Sequence, residues 1–184
     1  MPILGIVASS NYQRVAPDTG AMFPLGMVQV GSGGSSTITF SSISSTYTHL
    51  QIRGIARTAT NVSLGLRFNS DTGSNYSRHY LNGNGTSAAA GGGASSTSAY
   101  AGTTATLASA FGANVIDILD YKDTNKYTTV RTLSGGDNNG SGFVQFMSGS
   151  WRNTNAVTSI DIFQVDGDSF TQYSTFALYG IKGA

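Results

Sequence analysis

Val62-Ser63-Leu64-Gly65-Leu66-Arg67-Phe68 is the most regular stretch of this chain, with Val62, Leu64, Leu66 and Phe68 on one side and Ser63, Gly65 and Arg67 on the other. A period of two sends successive side chains to opposite faces of an extended backbone, so the segment reads as a strand with one face buried. The pattern recurs just upstream, where Leu50, Ile52 and Gly54 point inward and Gln51, Arg53 and Ile55 outward. The four residues from Thr58 to Asn61 suffice for a hairpin. Residues 50–57 and 62–68 are therefore expected to form an antiparallel pair, with Leu50, Ile52, Leu64, Leu66 and Phe68 in the core.

Working outward, strand character recurs at Ser36 to Phe40, Tyr76 to Leu81, Ala113 to Leu119, Lys126 to Leu133, Gly142 to Met147, Val157 to Val165 and Thr175 to Ile181. Turn residues separate these runs, as in Asp71-Thr72-Gly73-Ser74-Asn75, Gly135-Gly136-Asp137-Asn138-Asn139-Gly140 and Asp166-Gly167-Asp168. No helical period persists for three turns, which limits helix to one or two short turns around Asp120 to Asn125. Eight to ten strands with polar hairpins predict an all-β fold, an antiparallel two-sheet sandwich.

Two segments stand apart. Asn82 to Thr106 contains Ala88-Ala89-Ala90-Gly91-Gly92-Gly93-Ala94-Ser95-Ser96 and little that is bulky except Tyr100, so it reads as a solvent-exposed loop or as a contact surface that small residues let a neighbour approach. Residues 1–25 begin with Met1-Pro2-Ile3-Leu4-Gly5-Ile6-Val7-Ala8 and continue without strand alternation or helix caps. They read either as a first strand and loop of the sandwich or as an arm docked on a neighbouring subunit by strand addition. The expected organisation is an N-terminal strand and arm over 1–25 and one sandwich domain over 26–184, with the small-residue loop at about 82–106. Contacts to a subunit or shell are placed on Ile3, Leu4, Ile6, Val7, Tyr12 and Arg14, because one sandwich face covers only alternate residues of a strand that is apolar on both sides.

The chain has 184 residues, a length ordinary for a single β-sandwich. Nine Tyr, nine Phe and one Trp supply enough apolar surface for a core, while 46 Ser and Thr and 24 Gly against three Pro mark a turn-rich, β-leaning composition. Ten basic against nine acidic residues leave a formal charge of +1, which provides no field for holding a polyphosphate or an anionic bilayer. Neither nucleic acid nor membrane is an expected partner. The start of the chain lacks the basic leader of a secretory signal, and no run approaches the roughly 20 apolar residues of a membrane helix. With no cysteine, disulfides and thiolate chemistry are excluded.

Catalytic chemistry has few candidates. His49 and His79, both on expected strands, lack the carboxylate-rich or i,i+4 surroundings of a metal site. Ser77 with His79 or His49 and an aspartate would make a nucleophilic trio, but so many serines make such a trio unavoidable by chance. Asp117, Asp120 and Asp161 flank apolar strand residues, and nine aspartates without a glutamate suit turns better than glycosidase work. Asp137-Asn138-Asn139 and Asp166-Gly167-Asp168 lack the ligand run of a calcium loop. Gly31-Ser32-Gly33-Gly34 and Gly91-Gly92-Gly93 lack the lysine and helix of a phosphate loop and read as linkers. Tyr121, Tyr127, Trp151 and Tyr173 are more often core or interface residues than sugar platforms. The chain is expected to be non-enzymatic, without metal or cofactor.

Several segments together resemble small virion structural proteins of tailed bacteriophages. They are Gly5-Ile6-Val7-Ala8-Ser9-Ser10, Thr46 to Arg57, Phe68 to Tyr76, Arg78 to Gly85, Asp117 to Tyr127, Ser148-Gly149-Ser150-Trp151 and the terminal Ser174-Thr175-Phe176-Ala177-Leu178-Tyr179-Gly180-Ile181-Lys182-Gly183-Ala184. The resemblance implies a jelly-roll-like sandwich built into the virion as a head decoration protein or a tail or fibre component, and the first expectation is a capsid decoration (cement) protein bound to the major capsid protein on the outer head surface as a homotrimer. The alternative is a tail- or fibre-associated module that recognises a host glycan. It carries over no catalytic or metal residue.

Overall fold

The structure is a computed structural model that describes residues 21–60 and 63–183. Twelve strands form it: β1 (Met22–Gln29), β2 (Thr37–Phe40), β3 (His49–Ala56), β4 (Ser63–Phe68), β5 (Tyr76–Gly83), β6 (Ala88–Ser96), β7 (Ala99–Thr103), β8 (Gly112–Leu119), β9 (Thr128–Asp137), β10 (Gly142–Trp151), β11 (Ile160–Gln164) and β12 (Thr175–Ile181). The described residues contain no helix, and Asp120 to Lys122 form a turn. One sheet has eight strands in the order β1-β12-β3-β8-β9-β10-β5-β6; the other has four in the order β2-β11-β4-β7. Every pairing between neighbouring strands is antiparallel.

The topology is a nest. β1 pairs with β12, β2 with β11, β3 with β8 and β4 with β7, the first with the last and so inward. Such a nest is one long hairpin folded over on itself, which is the winding of a jelly roll. Two hairpins are inserted into it, β5-β6 between β4 and β7 and β9-β10 between β8 and β11. They join each other through β10 and β5 and extend the larger sheet by four strands beyond β8.

The inward residues of the 50–57 and 62–68 segments are as expected: Leu50, Ile52, Leu64, Leu66 and Phe68 are all fully buried, while Val62 lies outside the described residues. Their pairing is not. β3 belongs to the larger sheet, between β12 and β8, and β4 to the smaller, between β11 and β7. The two strands face one another through the core instead of lying side by side. The link between them is a corner held by other parts of the chain: Arg57 bridges Ala105 and Thr58 bridges Phe170. Thr58, fully buried, shares a hydroxyl contact of 2.6 Å with Thr104 and donates to the Thr60 carbonyl at 2.6 Å. Asp168 accepts from the Thr60 N–H at 3.0 Å and its hydroxyl at 2.9 Å. Alternation reports which way a side chain faces but carries no information about which strand lies alongside.

The small-residue stretch is also corrected, since most of Asn82 to Thr106 is strand and not loop, made of the end of β5, all of β6 and all of β7. β6 pairs with β5 along its length, and β7 with β4. The glycines of β6 lie under side chains of β5: a Cβ on Gly91 would stand 2.6 Å from the Tyr80 hydroxyl, and one on Gly92 would meet the His79 ring and stand 2.9 Å from the Arg78 carbonyl oxygen. Gly91-Gly92-Gly93 is therefore strand backbone under its neighbours' side chains, not a linker. Gly31-Ser32-Gly33-Gly34 is a turn, closed by the Gly34 N–H on the Gly31 carbonyl at 3.1 Å. β1 spans the expected boundary at 25/26, and its residues from Met22 on pair with β12.

An aromatic cluster closes the core beneath the β4–β5 turn. The Phe68 and Trp151 rings lie 5.5 Å apart, with Tyr76 at 6.4 Å from Trp151 and 6.5 Å from Phe68. The Trp151 indole N–H donates to Asp71 Oδ2 at 2.8 Å, and Asp71 also receives the Gly73 N–H at 2.8 Å and the Asn75 amide at 3.0 Å. One carboxylate thus ties the turn to β10.

Candidate functional site

The strand registers put one continuous row of side chains across the outer face of the larger sheet: Met27, Ala177, Arg53, Val115, Leu133, Phe146, Leu81 and Ala90, one from each of its eight strands. At about 4.8 Å per strand the row runs about 34 Å. Only Arg53 is charged. Met27 is 69% exposed, Leu133 56%, Phe146 50% and Leu81 57%. The next row toward the β9–β10 turn continues from Ile55 through Ala113, Gly135, Val144 and Gly83 to Ala88. Ile55 and Val144 are exposed there at 47% and 66%.

The small residues of this second row floor a depression of about 440 Å³ between Phe111 and Phe143, closed at its end by Asp137 and Gly140. On the other side of the apolar row lies a polar one: Gln51, Asp117, Arg131, Ser148 and His79. Asp117 accepts from Gln51 at 2.8 Å and from Arg131 at 2.9 Å, so it is a cross-strand brace.

The inner face of the same sheet changes character along its width. Under the smaller sheet it carries Leu50, Ile52, Ile116, Ile118 and Val130, all buried. In the extension it carries Thr132, Ser134 and Gln145, also buried. A cleft of about 170 Å³ opens there between Ser63, Tyr80, Asn82, Tyr100, Gln145 and Met147. The Tyr80 and Tyr100 rings meet edge to face at 6.0 Å, and Arg78 lies 4.0 Å above Tyr100.

The residues singled out for chemistry are placed as follows. His49 Nδ1 accepts the Asp120 backbone N–H at 3.0 Å, an arrangement that fixes the β8 end against β3. Because that nitrogen is accepting, its 3.3 Å approach to the Asp120 carboxylate is not an ion pair in this state; Lys126 is the carboxylate's partner. Ser77 and His79 both point to the outer face of β5, where the nearest carboxylate in their rows, Asp117, is three strands and about 14 Å from His79. Among the described residues of these rows, no carboxylate joins Ser77 and His79. Asp161 accepts from Thr39 at 2.7 Å, and Asn138 Oδ1 accepts the Thr106 and Leu107 N–H groups at 2.8 and 2.9 Å, both structural links. The Ser169 N–H, first, and then the Thr60 hydroxyl and N–H hold the Asp168 carboxyl below the usual carboxylate range. Among the described residues no three His, Asp or Glu side chains converge on a metal-sized site.

Tyr121 and Trp151 are buried, whereas Tyr127 and Tyr173 are exposed singly. The contact residues expected at Ile3, Leu4, Ile6, Val7, Tyr12 and Arg14 lie outside the described residues. The apolar row escaped the sequence reading because its members are eight single residues on eight strands, brought level only by register. A comparison of the chain with protein-family models and with curated proteins finds no match.

Proposed function

We propose that this chain is a non-enzymatic structural protein of a tailed-bacteriophage particle, a capsid decoration protein that binds the outer head surface as an oligomer and contacts the major capsid protein there. The observation that carries the assembly part of this reading is the apolar row across the outer face. Contiguous exposed apolar surface of this extent is uncommon on a protein that works alone, and an assembly is what covers it. The kind of particle comes from the sequence resemblance. Further support lies in how the polar side chains are used: Asp71, Asp117, Asp161 and Asp168 each join separate segments of the fold. A stiff, cross-linked sandwich suits a load-bearing role.

The test is copy number, measured by quantitative mass spectrometry of purified particles of the phage that encodes the chain. Hundreds of copies per particle are expected for a head protein, and absence from the particle overturns the proposal. A handful of copies would favour the second reading, a tail-associated module that binds a host glycan. The polar cleft between Tyr80, Tyr100, Asn82 and Gln145 supports that reading, since an aromatic wall with amides beside it matches a sugar ring. Saturation-transfer NMR with host glycans, compared between the natural protein and Tyr100→Ala, tests it.

A further inference from the structure

We propose that the outer face of β8, β9, β10 and β5 is a self-association surface whose occupant is the same face of a second copy of this chain. The inference rests on the reading of that face as an assembly surface and names its partner. Area is the first argument. Leu81, Val115, Leu133, Val144 and Phe146, with Ile55 on the adjoining β3, are between 37% and 66% exposed and contiguous by register. Together they present roughly 600 Å² of apolar surface, at the upper end for one patch on a monomer. With the alanines, glycines and polar side chains around them, the face approaches the roughly 800 Å² per partner of a stable interface.

Shape is the second argument. The row containing Leu133 and Leu81 is a ridge, and the adjacent row is low at Gly135 and Gly83, with Val144 standing between them, and leads into the 440 Å³ depression. A two-fold axis lying between the two faces, and running across the strands midway between these rows, sets each ridge over the other copy's adjacent row. Leu133 then faces Gly135, Leu81 faces Gly83 and Phe146 meets Val144, at the roughly 10 Å spacing of packed sheets. A surface that is complementary to itself under a two-fold rotation is what an isologous dimer requires. Charge does not oppose it, because the two apolar rows carry no ionisable side chain on these four strands, Asp117 and Arg131 in the flanking polar row pair with each other at 2.9 Å, and the chain's formal charge is only +1. The proposed unit is accordingly a dimer, and a trimer is an outcome of the test.

The experiment is sedimentation velocity of the purified full chain over a wide concentration range, with three variants. Phe146→Asp and Leu81→Asp put a charge on two neighbouring strands of the ridge, and Gly135→Ala fills the low ground beside Leu133. Among the described residues of its own chain, an added Cβ at Gly135 makes ordinary contacts with the Phe143 carbonyl at 3.4 Å and Val144 at 3.8 Å, so the variant is expected to fold. The expected result is a dimer for the natural sequence, a dissociation constant raised about tenfold or more by each aspartate, and a smaller weakening by Gly135→Ala, with melting curves unchanged when all are compared as monomers at low concentration. A monomer throughout, a trimer, or a dimer indifferent to both aspartates overturns the inference. Binding of the same proteins to phage heads lacking this chain separates the two readings. A monomer that binds heads through Phe146 overturns self-pairing alone. One whose head binding is absent, or unaffected by Phe146→Asp, overturns the assembly reading of the face as well.

Discussion

Gly54→Ala isolates one contact in the core. Gly54 sits on the inner face of β3, paired with Phe176 on β12 and Asn114 on β8. An ideal Cβ there would stand 2.5 Å from Phe176 Cδ1 and 2.6 Å from Cε1, well inside van der Waals contact. Phe176 has no easy retreat: it is fully buried and packed edge to face on Phe170 at 5.2 Å. Gly54 has no left-handed backbone, so replacing glycine would by itself stabilise the chain by about 0.4–1 kcal/mol through the unfolded state. Overpacking a tight core costs about 1–3 kcal/mol and wins. Gly54→Ala should therefore lower the melting temperature by several degrees, at about 2–4 °C per kcal/mol for a chain of this size. Phe176→Leu alone should destabilise by leaving part of the ring's space empty, but it makes room for the new methyl. In the double variant the loss should be smaller than the sum of the single losses by about 0.5 kcal/mol or more, measured by chemical denaturation. A neutral Gly54→Ala, or strictly additive losses, would refute the seating of Phe176 over Gly54.

Other consequences are open to measurement. Leu66→Ala, at a fully buried position in β4, should cost about 2–5 kcal/mol in chemical denaturation; a loss below about 0.5 kcal/mol would contradict its burial. The Trp151 N–H, and after it the Asn75 amide and Gly73 N–H, hold the Asp71 carboxyl below its ordinary range despite partial burial. Its stabilising contribution is complete above the unfolded carboxyl's range and lost as pH falls through the depressed folded value. Denaturation midpoints should thus fall on acidification more steeply in the natural protein than in Asp71→Asn. Burial pushes the Tyr76 hydroxyl up to about 12, so the folded state favours its neutral form. Stability from this group is full below pH about 10 and declines as pH rises toward 12, and in ultraviolet titration Tyr76 should ionise after the exposed tyrosines.

Much of the fold was legible in the chain by itself. Apolar periodicity of two, turn residues between runs and the lack of helical period were enough for an antiparallel sandwich. They also placed Thr175–Ile181 as a strand and turned Leu50, Ile52, Leu64, Leu66 and Phe68 inward. These are local properties, since the direction a side chain faces follows from the backbone of its own strand. β6 was not legible for the same reason: Ala, Gly and Ser have no contrast between faces, and that strand is held by backbone hydrogen bonds to β5 and by the room its glycines leave for Tyr80 and His79.

Tertiary structure alone decided which strands are neighbours. β3 and β4 are separated by six residues in sequence, yet they pair with strands far along the chain because the Thr58 corner is bonded to Thr104 and bridged to Phe170. Closing such long loops is compensated only when the nested pairs form together, and no local pattern encodes that sum. The candidate site is of the same kind. Leu81, Val115, Leu133 and Phe146 each read as an ordinary outward residue of its own strand, and only the register of four strands makes them one exposed apolar surface.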